Sequence, residues 1–222
     1  MTKEQKQLLI AKRVAKELPE GSLVNLGIGL PTKVTAFIPE NKHVMLQSEN
    51  GFVGLGPVPI DRSDETHVVN AGGQPASILK GGSCFNSATS FGIIRGGHVD
   101  VTVLGALQAD EKGDIASYMI PGKMVPGMGG AMDLLTGAKK VIVATEHTVK
   151  GQPKILKRCT LPLTASGEVD MIVTEMAVIK VTPQGLIVTE INADYTFADV
   201  QNATEAKLHE GDEMRTMVFE EK

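Results

Sequence analysis

The sequence predicts a single α/β domain over residues 1–222: an open, largely parallel sheet flanked by helices, ending in a β-hairpin and a closing helix. Three observations predict it. Short apolar runs at 22–26, 44–47, 99–104 and 141–144 alternate with short helical stretches, the pattern of parallel strands covered on both faces. Glycine is frequent, 24 of 222 residues, without a repeat period, as many tight strand-to-helix turns require. No linker rich in Pro, Ser or charge divides the chain, and its length suits one domain with a sizeable core.

In chain order, Thr2 with Gln5 makes a capping box, and Leu8, Ala11, Val14, Ala15 and Leu18 recur at helical spacing until Pro19 and Gly21 stop the helix. Residues 22–26 read as a strand. A glycine turn follows, then a helix start at Pro31 and Thr32, where proline's fixed φ suits the first turn. The strand at 44–47 delivers Glu49 just past its end into a loop carrying Gly51, Gly54 and Gly56. Residues 68–69, 99–104 and 141–144 read as further strands, with short helices over 88–94 and 131–135. In the last third, 171–181 and 186–191 flank a Thr182-Pro183-Gln184-Gly185 turn as a β-hairpin. Thr196 with Asp199 caps a closing helix to about residue 208, and the charged tail from Glu210 reads as loosely held.

Composition excludes several function classes. The formal charge is −4 and the Lys and Arg residues form no basic stripe, which argues against nucleic acid. No apolar run approaches the length of a membrane span, and the first residues lead into a charged amphipathic segment rather than a signal-peptide core. Cys84 and Cys159 have no metal-ligand spacing between them; small buried residues in a reducing cytoplasm are expected. His98 and His147 each lack a Cys or Asp partner at useful spacing, and Glu146-His147 lacks the H-E-x-x-H frame, so no metal site is predicted. Gly27-Ile28-Gly29 and Gly127-Met128-Gly129-Gly130 start like nucleotide loops, but Thr32 and Met132 fill the last place of G-x-G-x-x-G, and no Walker motif occurs.

The segment Leu46-Gln47-Ser48-Glu49-Asn50-Gly51-Phe52-Val53-Gly54-Leu55-Gly56 carries the most chemistry. It ends an apolar run on one carboxylate and then lets a ligand approach bare backbone. The tract resembles the active-site signature of the class I coenzyme A transferases, in which the glutamate of Ser-Glu-Asn-Gly is the covalent nucleophile. The resemblance continues through Asn25-Leu26-Gly27-Ile28-Gly29-Leu30-Pro31, Asn70-Ala71-Gly72-Gly73, Ile94-Arg95-Gly96-Gly97-His98-Val99-Asp100, the run from Pro121 to Leu134, and Cys159-Thr160-Leu161-Pro162-Leu163-Thr164. Together these cover roughly residues 8–191, in the order of the β (B) subunit of the acetate, butyrate–acetoacetate and 3-oxoacid transferases.

The resemblance implies a coenzyme A transferase fold and a double displacement through Glu49, with a mixed anhydride and then a glutamyl-CoA thioester. A carboxylate suits this because it is ionised near neutral pH and leaves well once acylated. Each step needs donors aimed at a developing oxyanion; the family implies Asn25 and Gly130 for that role. Gly127 and Gly129, ahead of a helix, and Lys123 are the candidates for binding coenzyme A, and Asn50, Gly51 and Gly73 those for binding substrate. No permanently bound cofactor is implied; coenzyme A is substrate and covalent intermediate. The implied partner is an α (A) subunit, in an α2β2 assembly, with the active site at the subunit junction. Gly73-Gln74 stands where succinyl-CoA-using relatives commonly have Lys-Glu, which implies short monocarboxylates such as acetate, butyrate or acetoacetate over succinate. Ile115-Ala116-Ser117-Tyr118 also departs from the Leu-Ala-Asn-Trp frequent in relatives. Two other readings compete: an acyl-CoA hydrolase using the same glutamate, with water finishing the reaction, and a non-catalytic ligand-binding module on a related fold.

Overall fold

The computed structural model describes residues 1–58, 68–125 and 127–217. Helix α1 (Lys3–Ala15) opens on the expected capping box: Thr2 Oγ1 accepts from the Gln5 N–H, and Gln5 Oε1 accepts from the Thr2 N–H. The strands are β1 (Leu23–Leu26), β2 (Met45–Ser48), β3 (Phe52–Gly56), β4 (Ser77–Cys84), β5 (Val101–Leu104), β6 (Gln108–Asp110), β7 (Ile115–Ala116), β8 (Val141–Ala144), β9 (Thr148–Val149), β10 (Gln152–Pro153), β11 (Ile155–Leu156), β12 (Met171–Val173), β13 (Ala177–Thr182), β14 (Gly185–Ile191) and β15 (Leu208–Thr216). Between them lie a 3-10 helix (Pro31–Phe37) and helices α2 (Ser87–Arg95), α3 (Ala131–Gly137) and α4 (Phe197–Asn202).

Ten strands form one sheet in the order β15-β14-β13-β12-β8-β5-β1-β2-β3-β4. Its centre, β12-β8-β5-β1-β2, is parallel throughout, and antiparallel pairs flank it on both sides. All five central strands therefore end at one edge, where open α/β sheets place their ligands. Alternating residues feed two cores. Val24, Leu46, Val101, Val103, Ile142 and Val173 pack under α1 with Ile10, Val14 and Leu18. On the other face, Leu104, Val141, Val143 and Ile172 pack with Ile94 of α2, Leu134 and Leu135 of α3 and Val200 of α4. A fully buried Ile10 or Leu18 contributes about 1.5–3 kcal/mol by removal from water.

Several elements differ from the expectation. The glycine loop after Glu49 is strand β3, paired antiparallel to β2 through Ser48↔Phe52 and Gln47↔Val53; Phe52, Val53 and Leu55 supply the strand character between its glycines. Beyond it lies β4, an exposed edge strand whose residues carry no apolar alternation to announce it. Among the described residues, 68–69 contribute a single bridge, Val69 to Pro75, rather than a strand. The 171–181 stretch is two strands, broken where Thr174 Oγ1 accepts the N–H groups of Met176 and Ala177 to make a turn. Helix α4 ends at Asn202 rather than near 208, because Gln201 turns back to cap the exit: its Oε1 accepts the Leu208 N–H and its Nε2 donates to the Ala206 carbonyl. The charged tail is not loose over 208–216 but forms β15, parallel to β14, with buried Leu208 and Met217 at its two ends; its last residues, 218–222, lie outside the described residues. Cys84 sits exposed on β4 instead of in the core, and Cys159 is half-buried, its thiol pushed up to about 12, chiefly by desolvation and then by the nearby Asp110.

Candidate active site

Strand β2 ends at Ser48, and the chain reverses over residues 49–51 into β3. Gly51 makes that reversal possible. Its φ is +140°, and a methyl group there would stand 2.4 Å from the Phe85 carbonyl oxygen. The Phe85 N–H in turn donates to the Gly51 carbonyl at 2.9 Å, so the backbone entering α2 lies directly on the turn. Glu49 is thereby presented, half-buried, at the carboxyl edge of the parallel strands.

On the neighbouring strand, the register Asn25↔Gln47 places Asn25 beside the end of β2. Its Nδ2 donates to Glu49 Oε2 at 3.2 Å, and the side chain is 1% exposed. Gly130 closes the other side. It is the N-cap of α3, and a methyl group on it would lie 3.4 Å from Glu49 Cγ and 3.3 Å from the Phe91 ring. Any larger residue would press on the carboxylate stem. The ion pair Arg95 Nε–Asp133 Oδ1, 2.6 Å, links the end of α2 to the first turn of α3. At the opposite, amino edge of the parallel strands, Asp100 accepts from Lys139 Nζ and from the Leu23 N–H, both at 2.8 Å, which secures the start of β1; the lysine bond and then the backbone bond hold its carboxyl below the usual range. The structure thus brings Glu49, Asn25 and Gly130 together.

The residues flanking Glu49 hold a loop. Ser48 Oγ accepts the Ala71 N–H at 2.9 Å, and Asn50 Nδ2 donates to the Val69 carbonyl at 2.8 Å. Asn70 Oδ1 rigidifies the loop by accepting the N–H groups of Gly72 and Gln74. The amide of Asn50, expected to meet substrate, is therefore engaged in holding this loop. Gly73 lies on it, exposed, at φ +74°, with open space where a side chain would go. Lys123 is exposed in the turn between the bridged residues Ile120 and Met124. Gly127 and Gly129 are also exposed, at φ +86° and +51°, on the segment that leads into Gly130.

A second feature was not legible in the sequence. A cleft of about 590 Å³ lies at the carboxyl ends of β5 and β8, with Lys3, Lys6, Lys150 and Lys154 in its walls. Lys154 is desolvated, which brings its pKa down to about 8, and it donates a short hydrogen bond to Thr145 Oγ1. Lys150 takes φ +51° in the two-residue turn joining β9 and β10, a conformation that costs a non-glycine residue about 1 kcal/mol or more. Ile28 lines the same cleft and also packs against the Glu49-flanking loop, with its Cγ1 3.5 Å from where a Gly72 methyl would be. Ile28 thus stands between the cleft and the loop that Ser48 and Asn50 hold. These lysines come from two segments, 3–6 and 150–154, far apart in the sequence and brought together only by the fold. His147, as expected, is structural: fully buried, with Nδ1 on Thr174 Oγ1 and Nε2 on Thr204 Oγ1, and burial lowers its pKa to about 4.

Comparison with known proteins places this geometry. Residues 8–202 match the family model described as coenzyme A transferase. The beta chain of the acetate CoA-transferase of Escherichia coli K12 is 54% identical over 208 residues, 93% of this chain and 95% of that protein. The B-type chain of the succinyl-CoA:3-ketoacid coenzyme A transferase of Helicobacter pylori 26695 is 45% identical over 200 residues, 90% of this chain and 96% of that protein. Among solved structures, the apoenzyme of an acyl-CoA transferase from Escherichia coli O157:H7 superposes with a TM-score of 0.76 at 19% identity, covering 96% of this chain and 43% of that longer chain, a likeness of fold. With nearly full-length matches at this identity to proteins named as β or B subunits, the chain belongs to the coenzyme A transferase family as a B-type subunit.

Proposed function

We propose that this subunit supplies the nucleophile of a short-chain acid CoA-transferase, and that Glu49 carries coenzyme A as a thioester between two half-reactions. The observation that carries the reading is the contact of Asn25 Nδ2 with one oxygen of Glu49, Oε2, at 3.2 Å under Gly130. The engaged oxygen leaves Oε1 to act. An Oε1 lone pair attacks the carbonyl carbon of the donor acyl-CoA, the tetrahedral adduct collapses, and the C–S bond breaks to release CoA thiolate. Oε1 then bridges a mixed anhydride, and Oε2 is the glutamyl carbonyl oxygen. Thiolate attack on Glu49 Cδ places the negative charge on Oε2, the atom Asn25 already faces, and collapse expels the donor carboxylate. The acceptor acid reverses both steps. Asn25 thus stabilises charge that develops on Oε2 as the thiolate adds.

The cleft, where Lys6 is paired with Glu175 at 2.7 Å and Glu146 also lines the wall, leaves Lys150 and Lys154 to meet the phosphates of coenzyme A, with Ile28 between the cleft and the Glu49-flanking loop. This adds to Lys123, Gly127 and Gly129 as the coenzyme-binding candidates. Relatives carrying the designation β or B support an A-type partner, taken as α2β2 with the active site at the junction. For substrates, the open position beside Gly73 offers no cation for a second carboxylate, which favours acetate, butyrate or acetoacetate over succinate. The test is to co-express the chain with its A-type partner and measure CoA transfer from acetyl-CoA across these acids. Transfer by the pair and none by the purified chain alone is expected. Release of free CoA at the same rate with and without acceptor acid would instead identify a hydrolase.

A further inference from the structure

Residues 25, 47 and 102 are registered neighbours on three adjacent strands: Asn25 of β1 pairs with Gln47 of β2 on one side and with Thr102 of β5 on the other. Side chains at registered positions share one face of the sheet. The intervening Val24, Leu46, Val101 and Val103 fill the opposite core, which confirms the facing. A row of three polar side chains therefore crosses the interior beneath Glu49, at 0% exposure for Thr102, 1% for Asn25 and 2% for Gln47.

Each member carries an atom without a partner in the protein: Asn25 Oδ1, Gln47 Oε1 and Thr102 Oγ1. Amide reversal does not repair this. Asn25 must keep its N–H group toward the Glu49 carboxylate, and Gln47 must keep its own toward the Ser90 carbonyl at 3.3 Å and Ser90 Oγ at 3.2 Å. Two carbonyl-type acceptors and one rotatable hydroxyl remain. Buried polar groups in folded proteins are satisfied by protein or by internal water, and a polar site with two to four partners is where such water is held.

We propose that this row binds one internal water, and that through it Gln47 and Thr102 act as positioning residues for Asn25. The water donates its two protons to Asn25 Oδ1 and Gln47 Oε1 and accepts from the Thr102 hydroxyl, so each of the three atoms gains a partner. Holding Oδ1 fixes the plane of the Asn25 amide, whose terminal torsion is otherwise broad, and keeps Nδ2 aimed at Glu49 Oε2. The catalytic consequence rests on the reading of Glu49 as nucleophile; the water site does not.

Thr102→Val and Thr102→Ser in the assembled enzyme test it, because valine keeps the shape without the hydroxyl and serine keeps the hydroxyl. A truly orphaned buried hydroxyl would make the valine variant more stable, whereas a water-bridged one makes it less stable. Expected for Thr102→Val are a Tm lower by about 2–4 °C and a kcat lower by roughly tenfold at an almost unchanged KM for acyl-CoA, with Thr102→Ser restoring both. A crystal structure should show ordered density in hydrogen-bonding contact with all three atoms. A Tm that is unchanged or raised in Thr102→Val, or a kcat equal to that of the wild type, would overturn the proposal. Absence of a Glu49 adduct in the wild-type enzyme would remove the nucleophile reading instead, with the Tm sign and the density still deciding the water.

Discussion

Replacing Asn25 with alanine removes the amide that faces Glu49 Oε2 at 3.2 Å and nothing else that touches the carboxylate through a hydrogen bond. Asn25 is 1% exposed, so bulk solvent does not stand in for the lost amide. In the resting enzyme the lost bond is one to an ionised group, worth about 1.5–3 kcal/mol. That loss is felt by ground state and transition state alike and does not by itself slow the chemistry. The excess arises when thiolate attacks Cδ and the charge concentrates on Oε2; deleting one donor to such an oxyanion typically costs about 3–4 kcal/mol, or roughly 10²–10³ in kcat. The expected result for Asn25→Ala is therefore a kcat down by two to three orders of magnitude, with KM for acyl-CoA little changed and cooperative thermal unfolding retained. Steady-state kinetics at saturating acyl-CoA and acceptor, alongside thermal melting, measure this. A well-folded Asn25→Ala enzyme with kcat within about threefold of the wild type would refute the assignment of Oε2 as the stabilised oxyanion.

Three further outcomes follow from the same structure. His147 titrates near 4 in the folded chain against 6.5 when exposed, so the unfolded state binds the extra proton; stability falls as pH drops from 6.5 to 4, by up to about 3 kcal/mol, and denaturant titrations of His147→Gln should lack that stretch of the pH dependence. Lys154, at about 8, loses its charge as pH rises through that value, so KM for acyl-CoA should climb between pH 7 and 9, while in Lys154→Met it should be raised and flat over the same range. Gly73→Lys should raise the succinate-to-acetate ratio of kcat/KM by about tenfold, at a cost of about 1–2 kcal/mol in stability for a side chain at φ +74°; an unchanged ratio in competition assays would show that this position does not set the preference.

The parts legible in the sequence were those fixed by local chemistry. Thr2–Gln5 and Thr196–Asp199 both form the capping boxes their spacing announces, because the two bonds lie within one helical turn. Glu49, Asn25 and Gly130 came from the resemblance to the transferases rather than from local pattern, and the fold brings the three side by side because a strand end or a helix start positions each. What failed depended on partners distant in the chain. Gly54, at φ +83°, marks the irregularity in β3 between Val53 and Leu55, yet as sequence it reads as loop. Strand β15 is exposed along nearly its whole length and is held by backbone pairing to β14, so it has no burial alternation to detect. The lysine cleft joins positions 3, 6, 150 and 154, which only the sheet brings to one edge. The same holds for the Gln47–Asn25–Thr102 row, since strand register is not written in any one strand.

The central claim is the covalent role of Glu49, and peptide mapping by mass spectrometry tests it most directly. The assembled enzyme, incubated with acetyl-CoA and no added acceptor acid, should carry a coenzyme A thioester on the peptide containing Glu49, and that adduct should disappear on addition of acetate. Glu49→Ala should carry no adduct and have no turnover, and Glu49→Asp, with its carboxylate withdrawn by roughly 1 Å or more, should be slower by about a hundredfold. An adduct on a different residue, or turnover near the wild-type rate in Glu49→Ala, would contradict the account.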